Sequence, residues 1–150
     1  GLHQRKFSKL GVDNLRVIRI IRDVMSKAYK IDSDNRTVTE IFILGTGSER
    51  LQQLQQEVGG HIEVATYLEN NDAVYVNEEG MYCLPEDKGW FWFEGNYQPN
   101  IGDGLVVGTD SEGGDADPKS TLEEIKAKIK WMTRAEVKQM IAARDHYRTP

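Results

Sequence analysis

The sequence predicts an α+β fold: a small, mostly antiparallel sheet with helices packed on it, a basic N-terminal helix and a C-terminal helical hairpin. Short alternating or continuous apolar segments, separated by turn-forming residues, fill the middle of the chain and predict strands. Apolar residues at three- and four-residue steps recur near both ends and once after the first predicted strand, and they predict helices. The chain thus divides into a basic helical segment 1–31, an α+β core 38–118 and a helical hairpin 120–148.

Composition is that of an ordinary globular protein. The chain has 150 residues, of which 39% are hydrophobic and 29% are charged. No apolar run is long enough to cross a membrane, so no membrane partner is expected. The single cysteine, Cys83, excludes an internal disulfide and a cysteine-based zinc site. We expect a cytoplasmic protein with no cofactor and no metal.

Charge is segregated along the chain. Residues 1–31 contain eight Lys and Arg against two acids, and residues 126–150 contain seven against two. Residues 32–125 contain four Lys and Arg against 20 acids. The favoured interpretation is that the basic ends dock on the acidic body, in the same chain or in a neighbouring copy. Contact of a basic end with nucleic acid is the alternative.

The first predicted helix runs from Asn14 to Lys30. Its apolar stripe comprises Leu15, Ile18, Ile21, Val24, Met25 and Tyr29. A strand through Val17–Ile21 is the competing interpretation, because β-branched residues favour strands and these alternate with arginines. The polar stretch Lys30–Thr37 is predicted as a linker to the core.

The core begins with a strand and a short helix. Val38–Gly45 contains a continuous apolar run, which predicts a strand covered on both faces. The helix that follows has Ser48 as its predicted N-cap. It stops at Gly59-Gly60, because glycine adopts the left-handed C-cap conformation without steric cost.

Further strands follow from period-two alternation. His61–Leu68 and Ala73–Asn77 are predicted to pair across a turn at residues 69–72, and Met81–Leu84 to follow as another extended segment. The short loops favour an antiparallel meander. Gly104–Gly108 is predicted as a further strand.

Two amphipathic helices are predicted at the C-terminal end, Ser120–Met132 and Thr133–Arg148. Each begins with capping-box spacing, Ser120 with Glu123 and Thr133 with Glu136. Because they adjoin in sequence, they are predicted to form a helical hairpin.

Four aromatic residues stand side by side: Trp90, Phe91, Trp92 and Phe93. On a strand, successive side chains point to opposite faces, so the two Trp and the two Phe separate. One pair is predicted to enter the core beside Ile62 and Val64. The other is predicted to be covered by the C-terminal helix that bears Trp131, or by a partner, because four exposed rings would form a patch that monomers rarely tolerate. The four rings and Trp131 are therefore candidate binding residues.

Short motifs follow one another through the middle of the chain. Their residues are Gly59, Gly60, Ile62, Glu63, Asn77, Glu78, Gly80, Leu84, Pro85, Ile101, Gly102, Asp103, Val106, Val107 and Gly108. In order and spacing they resemble a family of phage- and plasmid-encoded proteins, the domain of unknown function numbered three-eight-four-six. The resemblance covers about residues 38–125. It implies a mobile-element origin and an intracellular location, and no known reaction.

Two positions depart from the family pattern. The stretch EDKGWFWFEGNY stands where the family has an Asn-x-x-Ala segment after Leu-Pro, and His61 replaces an aromatic residue. Both departures argue against transferring a common ligand to this chain.

No nucleophile elbow, P-loop or calcium-loop pattern is present in the sequence. The segment Gly45–Arg50 lies between a predicted strand and a predicted helix, so its amides could hold an anion with help from Ser48 and Arg50. A plain helix start is the favoured interpretation.

Three carboxylates lie at predicted strand ends or beside turns: Glu63, Glu78 and Asp103. They could serve as acid and base only if the fold brought them together. The favoured interpretation is that they shape turns.

We therefore expect a non-enzymatic accessory protein of a phage or plasmid that acts by protein–protein interaction with a host or viral protein. A homodimer is one form of such an interaction. The first alternative is nucleic-acid binding through the basic terminal helices, with Arg16, Arg19 and Arg22 as contacts. The second is binding of a small anion, such as a nucleotide, near Gly45–Arg50.

Overall fold

A computed structural model describes residues 14–17, 25–83 and 86–148, including all of their side chains except those of residues 82–83 and 146–148. The strands are β1 Met25–Asp32, β2 Thr37–Leu44, β3 Ile62–Tyr67, β4 Ala73–Asn77, β5 Trp90–Phe93, β6 Asn100–Ile101, β7 Gly104–Thr109, β8 Asp115–Ala116 and β9 Ile129–Met132. The helices that follow β1 are α1 Gly47–Val58, α2 Gly80–Cys83, α3 Leu122–Lys128 and α4 Arg134–Arg148. The predicted α+β class with a mostly antiparallel sheet is confirmed.

Two sheets pack on each other. The large sheet has the order β2-β1-β7-β4-β3, with β8 paired to β7, and the small sheet has the order β6-β5-β9. One face of the large sheet packs on α1 through Leu54 and Val58. Its other face packs on Phe91 and Phe93 of the small sheet and on Ile125 of α3. The far side of the small sheet packs on Val137 of α4.

The N-terminal helix prediction is wrong from Met25 onward. Residues 14–17 are helical, and residues 18–24, which carry most of the alternative strand, lie outside the described residues. Met25–Asp32 forms β1 between β2 and β7, with Ala28 and Ile31 fully buried. The helical spacing of Met25 and Tyr29 is overridden because pairing on both edges satisfies the backbone of this segment.

The predicted linker is a hairpin turn. Asp32 accepts a hydrogen bond from the backbone N–H of Asn35 at 3.0 Å, which is the turn chemistry expected of aspartate. Arg36 closes the turn with a φ of 54°, and Thr37 pairs with Asp32. Residues 25–31 therefore belong to the large sheet, and the predicted boundary at residue 31 falls inside it.

β2 forms as predicted but is covered less fully. It is an edge strand, and Phe42 is 56% exposed. Val38 and Ile43 are buried on opposite faces. At the far end of the strand, the face that bears Ile43 is covered by α1, while the face that bears Phe42 is open. The prediction that both faces are covered is wrong there.

Helix α1 confirms the predicted element and corrects its start. The N-cap is Thr46, whose side chain makes no capping bond, and Ser48 lies inside the helix. Gly59 ends the helix in the left-handed conformation, with a φ of 82°, as predicted.

Strands β3, β4 and β7 form where predicted, but the meander is wrong in two respects. β7 lies between β1 and β4, so only β3 and β4 form a consecutive hairpin of the predicted series. Residues 80–83 make one helical turn, α2, where residues 81–83 were predicted to be extended. Leu84, the last residue of that predicted segment, lies outside the described residues.

The C-terminal helical hairpin is also wrong. The first helix ends at Lys128, and Ile129–Met132 pairs as β9 with β5. The helix is capped by Thr121 with Glu124, one residue later than predicted. The second helix forms as predicted, and Thr133 and Glu136 exchange capping bonds of 3.1–3.2 Å.

Candidate functional site

Two adjoining cavities lie beside β3, the edge strand of the large sheet opposite β2. Their volumes are about 100 and about 390 Å³. Both are lined by Glu63, Gln98 and Asn100, so they form one continuous depression. We call this depression the β3 groove. Its walls are strand β3, the start of α2 and the loop 96–100 that leads into β6.

Residues of the family-like motifs converge in the smaller cavity. Glu63 comes from β3, Asn77 ends β4, Glu78 lies in the next turn and Gly80 begins α2. The β3–β4 hairpin brings them together, because its register places Glu63 opposite Val76. The backbone N–H of Glu78 donates to the carbonyl of His61 at 2.8 Å and extends the pairing to the rim of the groove.

Asn77 fixes the shape of this rim. Its side chain is largely buried, and its Oδ1 accepts a hydrogen bond from the backbone N–H of Glu79 at 2.9 Å. A Cβ at Gly60 would lie 2.9 Å from its Nδ2, so a glycine is needed where the chain enters β3. Gly60 and Asn77 of the motif thus have a structural role.

The two carboxylates give the groove its charge. Glu63 and Glu78 are exposed and line the same cavity. The sequence left open whether the fold brings these carboxylates together. Asp103, the third carboxylate, lies elsewhere, with its Oδ2 3.6 Å from Nζ of Lys30. Among the described residues that line the groove, none is Lys or Arg. The lining residues of the groove therefore carry two negative charges, and a cation beside them is Arg144 of α4, which lies over the ring of Tyr97.

Exposed apolar and aromatic side chains flank these carboxylates. Met81 is 65% exposed and Tyr97 62% exposed, and Val64 lines the larger cavity. The guanidinium carbon of Arg144 lies 5.0 Å from the centroid of the Tyr97 ring. One face of the Tyr97 ring therefore makes a cation–π contact within the chain.

Asn100 supplies an unused donor between the cavities. Its Nδ2 is buried and finds no hydrogen-bond partner within the described part of the chain. A buried donor without a partner costs free energy, so an acceptor at this position would be favourable.

The predicted aromatic cluster lies mostly inside the protein. The four rings do part to opposite faces, as predicted. Phe91 and Phe93 are buried between the sheets, and their neighbours include Tyr29 and Val106 rather than the predicted Ile62 and Val64. Buried side chains offer no surface to a partner, so these two phenylalanines hold the sheets together.

The two tryptophans face α4, as predicted for a pair covered by the C-terminal helix. Trp90 is 8% exposed and packs with Met132 and Val137. Trp92 is half-buried, and its Nε1 donates to the carbonyl of Asn96 at 3.1 Å. Trp131 lies on β9 instead of a helix, opposite Phe91.

Ser48 and Arg50 lie at a plain helix start, the favoured interpretation, and contacts within the chain oppose the alternative anion site. Arg50 is 4% exposed, its Nε lies 3.0 Å from Oδ1 of Asp115, and it also donates to the hydroxyl of Ser26. Glu49 crowds Gly45, because a Cβ there would lie 2.7 Å from Oε2 of Glu49. A carboxylate therefore occupies the space that an anion would need.

The predicted nucleic-acid contacts are only partly described. Arg16 is exposed in the helical residues 14–17, while Arg19 and Arg22 lie outside the described residues. Their proposed role stays a prediction.

Sequence reasoning missed Met81, Tyr97, Gln98 and Asn100 as groove residues. Met81 comes from α2, which was predicted as an extended segment, and the other three come from the segment that leads from β5 into β6. Their proximity to β3 depends on how the small sheet packs on the large one, which local patterns do not reveal. The signal that was present is the motif itself, because Glu63, Asn77, Glu78 and Gly80 all lie in one cavity.

Comparison with known proteins gives one finding. No curated protein and no solved structure matches the chain. Within the described ranges, none of the helices combines the length and the apolar character needed to cross a bilayer. A family model matches residues 25–130, which include every strand except the last part of β9. The chain belongs to the family described as Domain of unknown function (DUF3846).

Proposed function

We propose that this chain is a non-enzymatic accessory protein of a phage or plasmid, and that it binds an extended basic segment of a host or viral protein in the β3 groove. The observation that carries the proposal is the convergence of Glu63 and Glu78 with exposed Met81 and Tyr97 at one sheet edge. Carboxylates recognise lysine or arginine, and the flanking side chains accept the aliphatic part of those residues.

Charge beyond the groove supports a basic partner. Residues 32–125, which contain the whole groove, carry 20 acidic residues against four Lys and Arg. Such an excess attracts cationic partners over about one Debye length and raises association rates. The same field opposes phosphate-rich partners at this site.

The shape of the groove supports an extended peptide. Its two cavities follow an edge strand, and an exposed sheet edge can accept a further strand through backbone hydrogen bonds. Every second side chain of such a strand would point towards the cavities.

A labelled peptide of alternating lysine and leucine tests the proposal by fluorescence anisotropy. We expect the double variant Glu63→Gln and Glu78→Gln to bind about tenfold more weakly, since exposed ion pairs contribute about 0.2–1 kcal/mol each and about 1.4 kcal/mol is tenfold in affinity. The control is Glu69→Gln with Glu112→Gln, which removes the same charge from exposed positions outside the groove.

Equal weakening in the two double variants would contradict the proposal, because it would mean that only net charge matters. Tight binding of the corresponding glutamate–leucine peptide would contradict it as well. Affinity for the lysine peptide should fall with rising salt.

A further inference from the structure

A second cavity lies at the opposite edge of the large sheet, far from the β3 groove in strand order. Its volume is about 450 Å³, within the range of small-molecule sites. We call it the β2 pocket. Its lining residues are Arg36, Thr37, Val38, Thr39, Lys126 and Trp131.

The chemistry of the β2 pocket is opposite to that of the groove. It combines a guanidinium, an ammonium, two threonine hydroxyls and an indole ring, and none of its described lining residues is Asp or Glu. Arg36 interacts electrostatically with the carboxylate of Glu136, which lies outside the pocket lining. The segment that forms its wall is also basic: residues 126–138 contain Lys126, Lys128, Lys130, Arg134 and Lys138 against Glu136. A cationic pocket on an acidic protein requires a specific explanation.

The fold holds Trp131 and the backbone of Arg36, while the charged side chains of Arg36 and Lys126 are exposed. Trp131 is half-buried and packs against the core between the sheets, so its ring is fixed in place. Arg36 occupies the left-handed region, with a φ of 54°, at the end of the β1–β2 turn. Lys126 forms an exposed ion pair with Glu123, 3.5 Å long, which is weak enough to be exchanged for a ligand.

We propose that the β2 pocket binds a mononucleotide, with its base stacked on Trp131 and its phosphate held by Arg36 and Lys126. Aromatic side chains bind bases by stacking, and guanidinium and ammonium groups bind phosphate. The threonine hydroxyls can bond to the phosphate or the sugar. Glu40 lies further along the same exposed strand and would repel the next phosphates of a polynucleotide, which favours a single nucleotide.

Isothermal titration calorimetry with ATP tests the proposal. We expect saturable binding to the wild-type chain, and about tenfold weaker binding for Lys126→Gln and for Arg36→Asn. Asparagine is chosen at position 36 because it tolerates a positive φ. The matched control is Lys128→Gln, which removes a charge from the same helix outside the pocket and should bind ATP like wild type.

Further titrations test the base and the phosphates of the ligand separately. Adenosine and inorganic tripolyphosphate should each bind more weakly than ATP, and ATP should shift the indole N–H resonance of Trp131 in NMR spectra. Absence of saturable ATP binding would overturn the proposal, as would Lys126→Gln binding like wild type. Tighter binding of a short single-stranded oligonucleotide than of ATP would assign the site to nucleic acid instead. Binding of tripolyphosphate as tight as that of ATP would show that the base does not contribute to the affinity.

Discussion

The ring of Phe91 lies directly over Gly104, so that a Cβ at position 104 would come within 2.7 Å of Phe91 Cζ. Phe91 belongs to the small sheet and Gly104 begins β7 near the middle of the large sheet. The contact therefore sets the distance between the two sheets. It also explains part of the aromatic run, since a fully buried ring fills the space that the missing side chain leaves.

Replacing Gly104 with alanine should destabilise the protein. The added methyl group must displace a buried ring, and overpacking of this kind costs about 1–3 kcal/mol. Urea unfolding of Gly104→Ala measures the loss. The double variant with Phe91→Leu should lose less than the sum of the two single variants, because the smaller side chain makes room. Additive losses would contradict the proposed contact.

Asp72 should be a strong determinant of stability. Its side chain is fully buried and accepts hydrogen bonds from the backbone N–H groups of Lys119 at 3.0 Å and Ser120 at 2.9 Å. These bonds tie the β3–β4 turn to the segment before α3. Asp72→Ala leaves the buried N–H of Ser120 and the partly buried N–H of Lys119 without partners, so we expect a loss of about 2–4 kcal/mol.

The control for Asp72 is Glu69→Ala, which removes an exposed acid from the same turn. It should change the free energy of unfolding by no more than about 0.5 kcal/mol. Similar losses in the two variants would show that charge, rather than the buried hydrogen bonds, accounts for the effect.

The ion pair between Arg50 and Asp115 should contribute to stability and not to anion binding. Asp115→Asn leaves the buried guanidinium with a weaker partner, and we expect a loss of about 1–3 kcal/mol, less than for a fully buried pair. Chemical denaturation measures it, with Glu112→Gln in the same loop as the control. A variant as stable as wild type would show that water replaces the Asp115 carboxylate without cost.

The pair of Asp34 and Lys88 should make stability depend on pH. The hydrogen bond from Nζ of Lys88, 2.7 Å long, lowers the pKa of Asp34, and the backbone N–H of Gly89 adds to the effect. A lowered carboxyl pKa stabilises the fold above the unfolded value, about 3.9, and this contribution is lost as the pH falls through the folded pKa.

Asp34→Asn should therefore cost about 0.5–1 kcal/mol near neutral pH, since the pair is partly exposed. Urea unfolding should show the difference from wild type shrinking as the pH falls below about 4. The pKa of Lys88 is raised by the same hydrogen bond, so its contribution is present below about pH 10.4 and is lost above its folded pKa. An Asp34→Asn deficit that is the same at low and neutral pH would contradict this assignment.

Local sequence patterns correctly predicted the elements that can be identified without reference to distant partners. β4, with its alternating residues, and α1, which ends at Gly59, form where expected. The failures are segments whose state depends on distant partners. β1 has helical spacing but pairs with β2 and β7, and β9 continues an amphipathic pattern but pairs with β5. No local rule reports such pairing.

The candidate site shows the same division. Glu63 and Glu78 were recognisable from the motif and its position at strand ends. Their convergence depends on the β3–β4 register, and the wall formed by Tyr97 and Asn100 depends on where the small sheet lies. The aromatic run drew attention to a surface that the fold buries, because burial of a ring is decided by what packs over it.

Methyl NMR of methionine tests the binding role of the β3 groove most directly. The chain has four methionines, and Met81 lines the groove while Met132 and Met140 pack near Trp90. Titration with the lysine–leucine peptide should shift the methyl resonance of Met81 and leave those of Met132 and Met140 unchanged. Saturable peptide binding without any shift at Met81 would contradict the account.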